Sequence, residues 1–415
     1  MRWSFCVAIF VLTMIAPAAN GQDVPQIFEG RLSLMSAAVQ PTATDFDFEF
    51  NTRRRLPAPF DTEGGREQTD RYGAKLDQIM IFDGCSLGLW EGLSVTMHTE
   101  TSIGETSIFD ATGPVAVNTA FLTPGPNEHV TAITNFQIDQ QLGGGYIATL
   151  GRINTIDLWA ALYPKYGKGL DGFMGAPLMI PLNTVPTIST IFNGAGLMKV
   201  EERGVEAAVL VLDPVNIPTT SNLSNLFDNG STIVGFARVF SNFGCLPGSH
   251  AILATYATGD FNSLDRNGFS FQPGQGLIVP ETSGSWMASY IGQQTLWMDP
   301  CDARRSIDLT TTWGFSDPET SPYEWTGNVT VEGYGLISGR EDDRTFGIGW
   351  YYTGISDELG PAFSAQFRDG EGVELYYSIA VSEWFHITPD LQFVDPNIIS
   401  TDNAIVPGVR ARIDF

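Results

Sequence analysis

Residues 406–415 read VPGVRARIDF. Val409, Ala411, Ile413 and Phe415 form an apolar row, and Arg410, Arg412 and Asp414 form a charged one. Alternation with a period of two marks a half-buried strand. Here the apolar row runs on to an aromatic residue at the end of the sequence, with no polar tail behind it.

The same period recurs upstream. In GVELYYSIAV, Val373, Leu375, Tyr377, Ile379 and Val381 share one face, against Glu374, Tyr376 and Ser378. In RTFGIGWYYTG, Phe346, Ile348, Trp350 and Tyr352 alternate with Gly347, Gly349, Tyr351 and Thr353. In SIDLTTTWGFSD, Ile307, Leu309, Thr311, Trp313 and Phe315 oppose Asp308, Thr310, Thr312, Gly314 and Ser316. Val329 and Val331 oppose Thr330, Glu332 and Tyr334. Further strands are expected at 72–83, 90–100, 130–138, 145–153, 203–213, 231–240, 250–258 and 286–297. Convincing amphipathic helices are few, so the chain is expected to be all-β.

Alternation alone also suits a soluble β-sandwich, which wets one face of each sheet. Two features favour a transmembrane antiparallel β-barrel. The apolar faces carry Trp, Tyr or Phe near strand ends, as at Trp313, Phe315, Trp350 and Tyr352, where aromatic girdles meet lipid headgroups. The opposite faces are rich in Gly, Thr, Tyr and single charges, as a watery lumen requires. Closure also pairs every backbone group in a solvent that offers none.

The N-terminus reads as an export signal. Arg2 supplies a positive start, Phe5 to Ala16 an apolar stretch, and Ala19 and Gly21 a small-residue cleavage site. Residues 1–21 are therefore expected to leave, 22–70 to be irregular, and 71–415 to form the barrel. Beyond the signal no stretch approaches the ~18–20 apolar residues of a helical span. A formal net charge of −25 excludes a basic nucleic-acid footprint. Cys85, Cys245 and Cys301 show no Cys-x-x-Cys spacing, so zinc and redox motifs are not expected; one disulfide with one free thiol is compatible with an oxidising compartment.

No catalytic site emerges. His98, His129, His250 and His386 lack ligand spacing, which leaves them as surface or interface histidines. There is no nucleophile elbow. LGGGYIATLG lacks the strand–turn–helix setting of a dinucleotide loop. Carboxylates are too plentiful to single out a glycosidase pair. No cofactor and no metal are expected.

Several stretches resemble the carbohydrate-selective porins of Gram-negative outer membranes, the OprB family. The most specific is GVELYYSIAVSEWFHITPDLQFVDPN, with Glu374, Tyr377, Trp384, Thr388, Pro389, Asp390, Leu391, Gln392 and Pro396 in a similar order. Next is GLISGREDDRTFGIGWYY, with Gly339, Arg340, Asp343, Gly347 and Gly349. SYIGQQTLWMDP, the hairpin around 72–106 and LGRINTIDLW add to the match, which covers about residues 70–415. The resemblance implies a barrel of sixteen strands with short periplasmic turns and longer outer loops. It implies passive diffusion of small sugars, insertion into outer-membrane lipid, and a terminal Phe415 read by the barrel-assembly machinery. Homo-oligomerisation stays open. Segment 154–200, long and rich in Pro and Gly, is expected to fold into the lumen and narrow it.

With the aliphatic faces toward lipid, strand parity selects pore-lining candidates: Asp77, Glu332, Tyr334, Tyr351, Glu374, Tyr376, Arg410 and Arg412, with Lys75 and Arg152 as further additions. Sugars need apolar faces to lie against and polar groups to replace water. Each candidate is otherwise a solvated wall residue. The competing functions are a general or cation-preferring porin, favoured by the acidic charge, and a secreted β-sandwich that binds or cleaves polysaccharide.

Overall fold

The structure is a computed structural model, and it describes residues 41–52, 70–105, 123–125, 129–164, 172–215, 217–265, 270–272, 276–337, 340, 346–360 and 364–414. The signal segment 1–21 and Phe415 lie outside the described residues. The strands are β1 (Pro41–Thr52), β2 (Asp70–Asp83), β3 (Leu93–Glu105), β4 (Val130–Gly143), β5 (Tyr146–Asn154), β6 (Ile191–Glu201), β7 (Gly204–Leu212), β8 (Thr232–Phe243) and β9 (Leu246–Asn262). A small hairpin follows, β10 (Ser270–Gln272) and β11 (Gly276–Ile278). The wall resumes with β12 (Glu281–Met298), β13 (Ser306–Ser316), β14 (Tyr323–Tyr334) and β15 (Phe346–Ile355). It ends with β16 (Gly370–Tyr377), β17 (Ile379–Ser382), β18 (Phe385–Asp395) and β19 (Ala404–Ile413).

Seventeen of these strands make one antiparallel sheet. It closes on itself: β1 pairs with both β2 and β19, and β9 pairs with β12 across the side hairpin. Because β16 and β17 run one after the other along β18, the closed wall has sixteen staves. A two-sheet sandwich, the competing soluble reading, has open edges that this ring lacks. The ring closes inside the segment expected to be irregular. FDFEF alternates as strongly as the other strands, and Phe46, Phe48 and Phe50 stand in register with Ile413, Ala411 and Val409.

The tightest connections share one end of the barrel. Gly144–Gly145, Glu202–Arg203, Gly244–Cys245 and Glu383–Trp384 are two-residue turns at one end. Gly244 and Cys245 both have positive φ, 58° and 66°, the tight hairpin geometry that matches the twist of the strands. The other end carries long connections, including residues 155–190. Cys85, Cys245 and Cys301 are all exposed free thiols on connections at the short-turn end, so none of them is in a disulfide.

The outer surface is the lipid face. Leu150, Leu197, Val209, Ile252, Ile348, Leu375, Phe393 and Val409 point outward and are exposed. Above them stand Tyr256, Trp286, Trp313 and Phe315, and below them Tyr146, Phe243, Trp297 and Phe346, also exposed. An aliphatic band between two aromatic belts fits a bilayer. No helix among the described residues is long and apolar enough to cross a membrane; the strands make the crossing.

Candidate functional site

The connection between β5 and β6 enters the barrel. It holds α1 (Thr155–Leu162), α2 (Ala176–Met179) and a 3-10 turn at Leu182–Thr184. The insert ends at Thr190, short of the expected residue 200, because IFNGAGLMKVE forms β6.

Asn154 starts α1: its side chain accepts from the Ile156 N–H at 2.9 Å and donates to Glu100 at 3.2 Å. Asp157 lies in the first turn, where the helix dipole favours a negative charge. Its Oδ2 is 2.7 Å from His98 Nδ1, and His98 Nε2 is 2.9 Å from Asp77 Oδ1. Lys75 contacts Glu100 and lies 3.5 Å from Asp77. Two wall strands and the inserted helix thus share one buried charge network.

The rest of the insert is tied to wall strands around the ring. Glu374 accepts from the Met174 and Gly175 N–H groups at 2.6 and 2.8 Å. Arg410 donates to the Gly172 carbonyl at 2.9 Å, and Asn328 to the Pro177 carbonyl at 2.7 Å. Asn183 accepts from Ser289 at 3.0 Å and Thr326 at 3.3 Å. Thr232 donates to the Thr187 carbonyl at 2.8 Å, and Arg238 to the Leu162 carbonyl at 3.0 Å. Two inward glycines make room: a Cβ at Gly314 would meet the Asn183 amide at 2.3 Å, and one at Gly349 would meet Leu178 at 2.8 Å.

The inner wall has two characters. From β6 to β9 and on β12 it is apolar: Phe192, Met198, Leu210, Val234, Phe236, Leu253, Met287 and Ile291 pack with Ile156, Trp159 and Met179 of the insert. Only a cavity of about 70 Å³ separates α1 from that wall. At about 1.5–3 kcal/mol per large side chain buried, this contact fixes the insert as a partition. From β13 to β19 and on β2 to β4 the inner face is polar, with Thr310, Thr312, Asn328, Thr330, Asp390, Gln392, Thr96 and Gln137. On β6–β9 the inward row is apolar and closes a dry core.

Parity places the candidates as follows. Asp77, Glu374 and Arg410 face inward and are engaged in anchoring the insert. Tyr351 and Tyr376 are buried against Phe173 and Leu178 of the insert, with the Phe173 and Tyr376 rings 5.0 Å apart. The Tyr376 hydroxyl donates to Glu332. Glu332 and Tyr334 line an open cavity of about 320 Å³ at the short-turn end. Arg412 is half-buried near the same end and donates to Asp414 at 2.7 Å. Lys75 joins the Asp77 network. Arg152 departs from its expected position: it stands opposite outward Phe136 and donates to the carbonyls of Ile217 and Thr220, because Gly151 takes the inward position.

His98, read from sequence as a surface or interface residue, is instead buried at the centre of the network. Asp77, His98 and Glu100 bring ligand atoms within 4.8 Å of one another, the one group among the described residues that could hold a metal ion. The Lys75 ammonium already supplies a positive charge there. Its members come from two strands, so no linear spacing reveals it. His250, on the lipid side, is 2.7 Å from the Tyr290 hydroxyl.

A closed sixteen-stave barrel with lipid-facing belts and a charged, inward-folded segment is a porin-type outer-membrane channel. The chain belongs to the carbohydrate-selective porin, OprB family, which it matches over residues 100–415. No match was found among the curated proteins. In fold it is similar to the high-pH structure of Pseudomonas putida OprB, at 17% identity and a TM-score of 0.72, with 93% of this chain and 96% of that one covered. It also resembles a loop-deleted OmpT of Vibrio cholerae, at 11% identity and a TM-score of 0.51, with 91% and 100% covered. The protein is thus a non-catalytic outer-membrane porin for carbohydrate passage.

Proposed function

We propose that small sugars diffuse passively along the polar half of the lumen, past the insert, and leave through the cavity lined by Glu332 and Tyr334. The observation that carries this reading is the division of the inner wall. A hydrated sugar gains hydrogen bonds against the polar strands where the insert leaves them uncovered, and would lose them against the dry core. Flux needs weak, repeated contacts, since a tight site would block the channel. Asp77, Glu374, Tyr351, Tyr376 and Arg410 then set the aperture by holding the insert. Glu332, Tyr334 and Arg412 meet the permeant.

Cysteine accessibility tests the route. In a background with Cys85, Cys245 and Cys301 replaced by Ser, Tyr334→Cys is expected to react with a charged thiol reagent and lose current. Leu210→Cys is expected to stay unreactive. Reaction at residue 210 with loss of current would place the path on the other side. Reversal potentials in a salt gradient read the cation preference that the charge of −25 favours.

Residues 1–21 direct export and are removed, and the barrel-assembly machinery reads the strand ending at Phe415. Residues 71–415, joined by β1, form the membrane domain.

A further inference from the structure

The cavity at the short-turn end has a composition that a plain sugar path does not require. We infer that it is a subsite for positively charged sugars, and that it ranks amino sugars above neutral ones and neutral ones above acidic ones. The inference rests on the porin reading and adds a charge preference to it.

Its volume of about 320 Å³ falls at the lower end of small-molecule sites. Three carboxylates, Glu202, Asp308 and Glu332, line it against one guanidinium, Arg203. Asp308 is held in place by hydroxyl donors: Thr295 donates to Oδ1 at 2.6 Å, and Ser306 to Oδ2 at 2.8 Å. Glu332 is held by the Tyr376 hydroxyl. Arg203 is drawn to one side, its guanidinium 4.9 Å from the centre of the Phe240 ring and bonded to the Ser241 carbonyl at 3.3 Å. The lining thus carries three carboxylates against one guanidinium, which is turned toward the Phe240 ring and the Ser241 carbonyl. Tyr334 supplies a flat apolar surface for the C–H face of a pyranose ring. An ammonium on that ring adds a charge-assisted hydrogen bond to a carboxylate, whereas a sugar carboxylate or phosphate is repelled.

The test is single-channel recording of the full protein, with glucosamine, glucose or glucuronate added on the short-turn side below neutral pH. The half-blocking concentration is expected to be lowest for glucosamine, about fivefold below glucose, the scale of one partly solvated ion pair, and highest for glucuronate. Asp308→Asn is expected to bring glucosamine to the glucose value, and Tyr334→Ala to weaken block by all three. Glu332→Gln gives a second reading on the charge term, with heat-modifiable mobility in SDS checking each variant's fold. Equal block by glucosamine and glucose in the unmodified protein, or a ranking untouched by both Asp308→Asn and Glu332→Gln, overturns the inference. Failure of the unmodified protein to form channels is a different result and counts against the porin reading itself.

Discussion

Asp157 of the inserted helix and His98 of the wall meet at 2.7 Å, both almost completely buried. Asp77 holds the other imidazole nitrogen at 2.9 Å. The insert is therefore anchored by a charge network where it enters the barrel, before its apolar face reaches the dry core. Removing Asp157 leaves a buried imidazole nitrogen without its hydrogen-bond partner, at a cost of about 1–3 kcal/mol. Asp157→Ala is expected to lower stability on that scale in denaturant unfolding from detergent, and to add noise to the open-channel current. A change within about 0.5 kcal/mol, the range of ordinary surface substitutions, with a quiet current would remove the anchor from the account.

Glu374 fixes the other side of the insert by accepting two backbone N–H groups. Gln at this position keeps one acceptor and turns a donor toward a second donor. The expected cost is about 1–3 kcal/mol. Amide exchange at Met174 and Gly175 should accelerate, and conductance should rise as the insert loosens. Unchanged exchange at both amides would show that the carboxylate does not hold them.

Close packing of the insert can be probed at glycine. A Cβ on Gly349 would sit 2.8 Å from Leu178 and 2.9 Å from Phe173, whereas one on Gly235 finds only the Ala254 carbonyl at 3.9 Å. Gly349→Ala is expected to destabilise by about 1–3 kcal/mol through overpacking. Gly235→Ala should be close to neutral. Equal effects would mean that the insert does not press on β15.

Strand β7 offers a test of the two apolar faces. Val209 points to lipid and is 57% exposed, while Leu210 points into the dry core and is 5% exposed. Val209→Arg is expected to cost about 2–4 kcal/mol near the bilayer midplane. Leu210→Ala should cost about 2–5 kcal/mol through the cavity it leaves. Both should lower the temperature at which the folded band disappears in SDS. A neutral Leu210→Ala would imply a water-filled lumen at β7.

The outward half of this fold was legible because lipid demands a strict period of two. VPGVRARIDF, GVELYYSIAV and SIDLTTTWGFSD each show it, and they lie in β19, in β16 with β17, and in β13. The inward half was legible only where the lumen is polar. EAAVLVL in β7 is apolar on both parities, the signature of a strand buried on both faces. That pattern is the sequence signal of the dry core. FDFEF carried the alternation too, but a basic, Pro-rich stretch follows it and makes the region look irregular. The Asp77–His98–Asp157 network was not legible at all. Its members are brought together by the pairing of β2 with β3 and by an inserted helix, and sequence spacing does not encode either. Arg152 was misplaced because it shares the parity of lipid-facing Leu150, so the unbroken register of β5 puts it on the outer face.

Passage of sugars through the polar half of the barrel has a direct electrical signature. The most direct measurement is single-channel conductance of the purified protein in planar bilayers, titrated with neutral sugar. Discrete steps that shrink as sugar is added are expected, since permeant and ions then compete for one path. Discrete steps indifferent to every sugar tested would contradict carbohydrate passage while leaving the barrel in place.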